Sequence, residues 1–173
     1  MNILIVSCSL NPGSRSRILA NEAQRALLES KIETTLIDLR DHPLPMCDGE
    51  DCDPRPLAPL NDAIRAADAI LLAMPIYNYD VNAAAKNLVE HTGSSWEGKI
   101  VGFLCAAGGH GSYMSVMGLA NSLMLDFRCL IIPRFVYATG RDFEGDAINS
   151  PKVTERLSQL CGETVRVARA LKG

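Results

Sequence analysis

The 173-residue chain has no excess of basic charge: 17 lysines and arginines face 20 aspartates and glutamates, a formal net charge of −3. A general nucleic-acid binder usually carries a basic patch or stripe, so no nucleic-acid partner is expected. Long hydrophobic runs are missing as well. No apolar stretch approaches the ~20 residues that span a bilayer, so no membrane partner is expected. The N-terminal run Ile3–Val6 is too short for a signal-peptide core and lacks the charged flank and cleavage site. A cytoplasmic protein is the expectation. Repeats, low-complexity tracts and linker-like stretches are absent, and the length suits a single domain over residues 1–173 with a full-sized core.

Metal-binding and disulfide frameworks are also wanting. Of the six cysteines, Cys47 and Cys52 share one loop without forming C-x-x-C or facing a second cluster. Cys8, Cys105, Cys129 and Cys161 fall in or at the end of apolar patterns, where a thiol acts as a small core residue. Reduced thiols and no metal are expected.

What the chain does have is five apolar runs alternating with helical patterns. The strands read as Ile3–Ser7, Thr34–Leu39, Ala69–Met74, Ile100–Ala106 and Cys129–Val136. A first helix begins near Ile18 with Leu19, Ala23, Ala26 and Leu27 on one face. A short helix carries Leu60, Ile64 and Ala67, and others cover Asn82–His91 and Tyr113–Leu125. The last places Val153, Leu157, Leu160, Cys161, Thr164, Ala168 and Leu171 on one stripe. The first, third and fourth runs are apolar almost throughout, as in parallel strands buried on both faces. Pro133 cannot donate to a ladder, which pushes the fifth strand to an edge. The pattern implies an α/β, three-layer, doubly wound fold: a five-stranded parallel sheet in the flavodoxin-like order 2-1-3-4-5. Ligands of such sheets bind beyond the carboxyl ends of the strands at the topological switch point, here between the first and third strands.

Three loops converge there. The first, Ser7–Ser16, follows a strand and opens a helix. It carries Ser9, Ser14 and Ser16 with Asn11, Gly13 and Arg15, and no acidic residue precedes Glu22. First-turn N–H groups and the helix dipole favour a phosphate at such a place. Neither G-x-x-x-x-G-K-[ST] nor G-x-G-x-x-G is present, so a monophosphate is expected rather than a triphosphate or pyrophosphate. The second loop, Pro75-Ile76-Tyr77-Asn78-Tyr79, offers backbone amides and flat faces suited to a planar heterocycle, although either tyrosine alone reads equally as a core or interface residue. The third, Gly108-Gly109-His110-Gly111, lets backbone approach a ligand closely. His110 reads as a loop histidine, since no partner carboxylate can be named for it.

These residues resemble the NAD(P)H-dependent FMN reductases of flavodoxin-like fold over nearly the whole chain. Cys8–Ser16 looks like that family's G-S-x-R-x-x-S-x-N phosphate loop, Pro75-Ile76-Tyr77-Asn78 like its P-x-Y-N turn, and Lys86-Asn87 like the K-N of the next helix. Trp96-Glu97-Gly98-Lys99 and Gly108-Gly109-His110-Gly111 complete the pattern. The chain departs from it where Cys8 replaces glycine, Asn11 arginine, Ser16 asparagine, Asn82 proline and Ala85 leucine. Losing the arginine removes one charge-assisted phosphate contact.

The resemblance implies FMN as cofactor, its phosphate on Ser9–Ser16 and its ring against Pro75–Tyr79 and Gly108–Gly111. NADPH or NADH would be the co-substrate. A quinone, azo compound, metal oxyanion or free flavin would be the small-molecule acceptor. The cofactor does the chemistry, so no catalytic acid, base or nucleophile is assigned. An electron carrier or redox-sensing flavoprotein without nicotinamide activity is the alternative. The Tyr113–Leu125 segment is apolar nearly all round, which predicts burial on more than one side. The family commonly forms dimers, so a homodimer through this helix and the one before it is expected, alone or as a dimer of dimers. The acidic, proline-rich Arg40–Pro59 connection reads as a solvated loop near the pocket or the dimer contact.

Overall fold

A computed structural model describes residues 1–49 and 54–172 of the chain. Its strands form where the apolar runs can be buried on both faces. β1 (Asn2–Ser7) pairs in parallel with β2 (Glu33–Asp38) on one side and with β3 (Ala69–Tyr77) on the other. β3 continues to β5 (Ile100–Ala107), after a short antiparallel strand β4 (Asp80–Val81) that folds back on the end of β3. Every residue of β5 and all of β3 except Tyr77 are buried, as continuous apolar composition requires.

Five helices cover the two faces. α1 (Arg15–Glu29) and α5 (Pro151–Lys172) pack on one, joining Leu19, Ala23, Leu27, Leu157 and Leu160 to Ile3, Ile5, Leu71 and Leu104. α2 (Pro54–Ala66), α3 (Ala83–Thr92) and α4 (Met117–Phe127) cover the other, with Leu60, Ile64, Leu88, Trp96 and Leu123 against Leu4, Val6, Ile70, Leu72 and Phe103. Trp96 is fully buried, and its indole N–H donates to Thr92 Oγ1 at 2.7 Å. No helix among the described residues is long and apolar enough to cross a membrane.

The sheet order β2-β1-β3-β5-β6 is the expected doubly wound order. The edge differs in detail. In place of one strand over Cys129–Val136, two pieces pair with β5: β6 (Leu130–Ile131) and β7 (Val136–Thr139). Pro133 lies in the gap, where its missing N–H would have broken the ladder. A hairpin of β8 (Phe143–Glu144) and β9 (Ala147–Ile148) follows, turning at Gly145 with φ +55°.

Helix boundaries shift for local reasons. α1 starts at Arg15, three residues before the first apolar position. α2 starts at Pro54, because proline is compatible with a first helical turn. The segment read as one helix from Tyr113 is a 3-10 stretch, His110–Val116, bent at Ser112, and then α4. Leu171, placed on the buried stripe of α5 by its spacing, is 64% exposed near the chain's end.

The thiols of Cys8, Cys105, Cys129 and Cys161 are buried and unbridged, and Cys47 is unbridged and half-buried. Cys52 and the acidic residues Glu50, Asp51 and Asp53 lie outside the described residues. No metal-binding cluster occurs among the described residues. Residues 43–47 are tied to α3. The Asn87 amide accepts from Cys47 N–H and donates to Pro45 O, both at 2.8 Å, and the His91 ring nitrogen Nε2 lies 2.8 Å from Pro45 O.

Candidate active site

A cleft of about 830 Å³ opens where the carboxyl ends of β1, β3 and β5 meet. Residues from all three expected loops line it: Asn11, Gly13, Arg15 and Ser16 from the first, Pro75, Ile76, Tyr77, Asn78 and Tyr79 from the second, and Gly108 and Gly109 from the third.

In the first loop the side chains shape the backbone. The Asn11 N–H donates to Ser9 Oγ at 3.2 Å, and the Gly13 N–H donates to Asn11 Oδ1 at 2.9 Å. Ser14 occupies the N-cap position of α1 but makes no side-chain cap. Its hydroxyl lies 2.8 Å from that of Ser16 instead. The helix therefore meets the cleft with its first turn not capped by Ser14, and no acidic residue occupies that turn. The two nearby arginines divide. Arg17 pairs with buried Asp38, which Arg40 also contacts at 2.9 Å. Arg15 remains at the cleft, its guanidinium packed over Gly140, where a Cβ would stand 3.1 Å from Arg15 Nη1.

The second loop is a tight turn between β3 and β4. Asn78 and Tyr79 have φ of +51° and +66°, the backbone of a type I′ hairpin turn. Asparagine tolerates this region. A tyrosine there costs about 1–2 kcal/mol. Tyr77 and Tyr79 both stand exposed at the cleft, at 52% and 62%. Neither is a core residue. Asn82 fastens this loop to the first: its amide donates to Cys8 O at 2.8 Å, and its N–H donates to Pro75 O at 3.2 Å. A proline at position 82 could make neither bond.

The third loop is braced from β7. Tyr137 donates its hydroxyl proton to Gly109 O at 2.7 Å and lies 2.8 Å from Ser112 Oγ.

Four expected site residues stand off the cleft lining. Ser9 is buried beneath its own loop, Ser14 turns to Ser16, Gly111 does not reach the cleft, and His110 lines a separate cavity with Tyr113 and Tyr137. The 3-10 turn that begins at His110 carries that residue away from Gly108 and Gly109. In exchange the cleft gains Ile18, Ala106, Ala107, Ser112, Gly145 and Asp146. Phe143, Gly145-Asp146 and Ile148 carry the composition of a two-residue hairpin, the available sign of that element. Among the described lining residues Arg15 is the one cation and Asp146 the one carboxylate.

The Cys8 thiol, in the first loop, is fully buried. Burial, then the negative charge of Asp38 and neighbouring Cys105, pushes the Cys8 thiol far above its ordinary range.

A family model described as NADPH-dependent FMN reductase matches residues 1–144. The chain belongs to this family. It is 26% identical over 181 residues to the NAD(P)H-dependent FAD/FMN reductase of Geobacillus thermodenitrificans, covering 99% of this chain and 96% of that one. A probable NADPH:quinone oxidoreductase 2 of Oryza sativa subsp. japonica is also 26% identical, over 185 residues, with 100% and 91% covered. Among solved structures, FerB, a flavoenzyme NAD(P)H:(acceptor) oxidoreductase from Paracoccus denitrificans, superposes with a TM-score of 0.79 at 20% identity, covering 98% of this chain and 97% of that one. Membership makes this FMN-reductase-family protein an oxidoreductase, with FMN and a reduced nicotinamide as its cofactors.

The cleft's own features fit a flavin mononucleotide. One end offers a helix start left without a side-chain cap, beside a guanidinium, and the other offers two exposed phenol rings opposite glycine backbone. Its volume lies within the range of small-molecule sites, about 300–1,000 Å³.

Proposed function

We propose that the protein holds FMN in this cleft and uses it to pass electrons from NADPH or NADH to a small-molecule acceptor: a quinone, an azo compound, a metal oxyanion or a free flavin. The observation that supports this most is the meeting of the uncapped α1 start with the Tyr77–Tyr79 turn in one cleft. The phosphate would sit on the N–H groups of the first turn of α1, with Ser14, Ser16 and Arg15 around it and Asn11 and Ser9 shaping the loop. The flavin ring would lie against residues 75–79 and 108–109. Bound FMN supplies reversible two-electron chemistry. The chain supplies position, charge and shelter from water.

The test is a visible absorption spectrum before and after NADPH under nitrogen. A flavin band that bleaches supports the reductase. A flavin band that NADPH leaves untouched points to an electron carrier, and a colourless protein that takes up no added FMN rejects the reading. In the same assay Ser14→Ala or Arg15→Ala should weaken FMN retention about tenfold or more, as expected for losing a hydrogen bond to a charged group. Asn11→Ala should cost less, because its side-chain oxygen is spent on Gly13 N–H. Equal retention by all three variants would overturn the phosphate assignment.

We further propose that the protein forms a homodimer through α3, α4 and the turn before α4. Met114, Met117, Met124 and Leu125 are exposed there, and a Cβ at Gly118 would meet nothing within 4 Å. The resemblance to a family that commonly forms dimers supports a second copy as the occupant.

A further inference from the structure

A second cavity, of about 470 Å³, shares the glycine loop with the cleft. Gly108, Gly109 and Ser112 line the cleft, while His110 and Tyr113 line the cavity. Tyr137 belongs to the cavity wall, yet its hydroxyl reaches Gly109 O, so the two spaces have one backbone partition. The cavity wall is aromatic. The Tyr113 ring centroid lies 4.8 Å from that of Phe135 and 5.3 Å from that of Tyr137, and His110 lies 6.3 Å from Tyr137. Tyr113 is 41% exposed, leaving ring surface that the fold does not cover.

The charges around this wall are unequal in availability. Asp142 accepts from Thr139 N–H at 2.7 Å and Thr139 Oγ1 at 2.9 Å. Burial alone would raise its pKa, but those bonds, one from Ser150 and the nearby His110 outweigh it and hold the carboxyl below its ordinary range. Glu155 accepts from Gln159 Nε2 at 3.0 Å. Both carboxylates thus already have donors. Arg156 is fixed at the wall by Nε donating to Phe135 O at 3.1 Å, and Lys152 is exposed in the first turn of α5 with no ion pair among the described residues. Those donors are neutral, so both carboxylates keep their charge. What sets the cations apart is that neither Lys152 nor Arg156 has an ion pair among the described residues.

We infer that this cavity binds a flat aromatic ring carrying an anionic group. The inference rests on the flavin reading above and adds to it a site for the molecule that exchanges electrons with the cofactor. Exposed ring faces accept another ring by stacking or edge contact, and cations over or beside them favour an anionic substituent. Two molecules of the proposed reaction have this chemistry. One is the adenosine-phosphate end of the reduced dinucleotide, and the other is an aromatic acceptor bearing an acid group.

Tyr113→Ala and Lys152→Glu test the site, since both side chains are exposed and neither lines the flavin cleft. FMN retention is the control and should match the parent in both variants. The thermal midpoint should match it for Lys152→Glu and fall modestly for Tyr113→Ala, which loses two ring contacts. Stopped-flow then measures flavin bleaching by NADPH and by reduced nicotinamide mononucleotide. Reoxidation by 1,4-naphthoquinone-2-sulfonate and by uncharged 1,4-naphthoquinone follows. A tenfold or larger rise in the half-saturating NADPH concentration in both variants, with the mononucleotide unaffected, assigns the cavity to the adenosine phosphate. A similar rise for the sulfonate in both variants, with the uncharged quinone unaffected by Lys152→Glu, assigns it to the acceptor. Values within twofold of the parent for all four reactants overturn the inference. Should the parent hold no FMN, the flavin reading fails by itself. Calorimetric titration with 5′-AMP and with the sulfonate then decides the cavity: binding that both variants lose supports it, and no binding of either probe rejects it.

Discussion

At the scale of single residues, Tyr79 is where local backbone preference and the proposed flavin site conflict most openly. It sits at φ +66° in a turn that glycine would enter freely, and its ring is exposed rather than packed. Backbone strain kept at a ligand cleft is expected to be useful there. Tyr79→Gly should therefore leave the thermal midpoint unchanged or stabilise the fold by up to about 1 kcal/mol, since relief of strain is partly offset by added unfolded-state freedom. FMN retention should fall in the same variant. A variant that loses stability and keeps FMN would show that the ring belongs to the fold. The cysteines make a second residue-scale case. Burial pushes the thiols of Cys105 and Cys161 up to about 12 and that of Cys129 to about 11. A raised thiol pKa keeps the group protonated as pH climbs, so at pH 8 these thiols stay in the unreactive protonated form. Native protein at pH 8 should leave Cys8, Cys105, Cys129 and Cys161 unlabelled by a disulfide reagent, and denatured protein should expose all four. Peptide mapping after labelling checks this.

Among the elements, β5 carries the tightest constraint. A Cβ at Gly102 would stand 2.8 Å from Leu71 Cδ2 and 3.0 Å from Leu160 Cδ1, so glycine here is the condition for α5 to sit against β3 and β5. Gly102→Ala should cost about 1–3 kcal/mol, the usual price of overpacking a core. Urea denaturation with an unchanged slope would register it as a loss of stability, whereas an unchanged midpoint would mean that the two leucines have room to move. The helix starts show why site residues were only partly legible in the sequence. The sequence puts Ser14 and Arg15 in the loop before a helix that begins near Ile18; only packing shows the helix starting at Arg15, Ser14 turning to Ser16 and Arg17 being drawn off by Asp38. The Gly108–Gly111 motif read as one loop because glycines carry no orientation. The 3-10 turn at His110 divides it between two cavities.

For the whole molecule, the open question of surface is the apolar side of α4. Leu119, Ala120 and Leu123 are buried against the sheet, while Leu125 is 82% exposed and Met117 is 40% exposed on the same helix. If a second copy covers that side, sedimentation equilibrium at micromolar concentration should return twice the chain mass of 18.7 kDa. Leu125→Glu should shift the protein toward monomer by leaving a charge without a partner in the contact. A parent that sediments as a monomer would reject the dimer.

The sequence by itself determined the layering and the strand order, because continuous apolar runs, helical spacing and one misplaced proline are local signals with few compatible topologies. It also located the cleft, since a doubly wound sheet places its ligand beyond the strand ends at the switch point. Tertiary structure alone decided which polar groups remain free in that cleft. Asn82 ties Cys8 to Pro75, Asp38 occupies Arg17, and Tyr137 braces Gly109 from 28 residues away. Such pairings join positions far apart in the chain, and no periodicity or motif encodes the side-chain partner that each group finds.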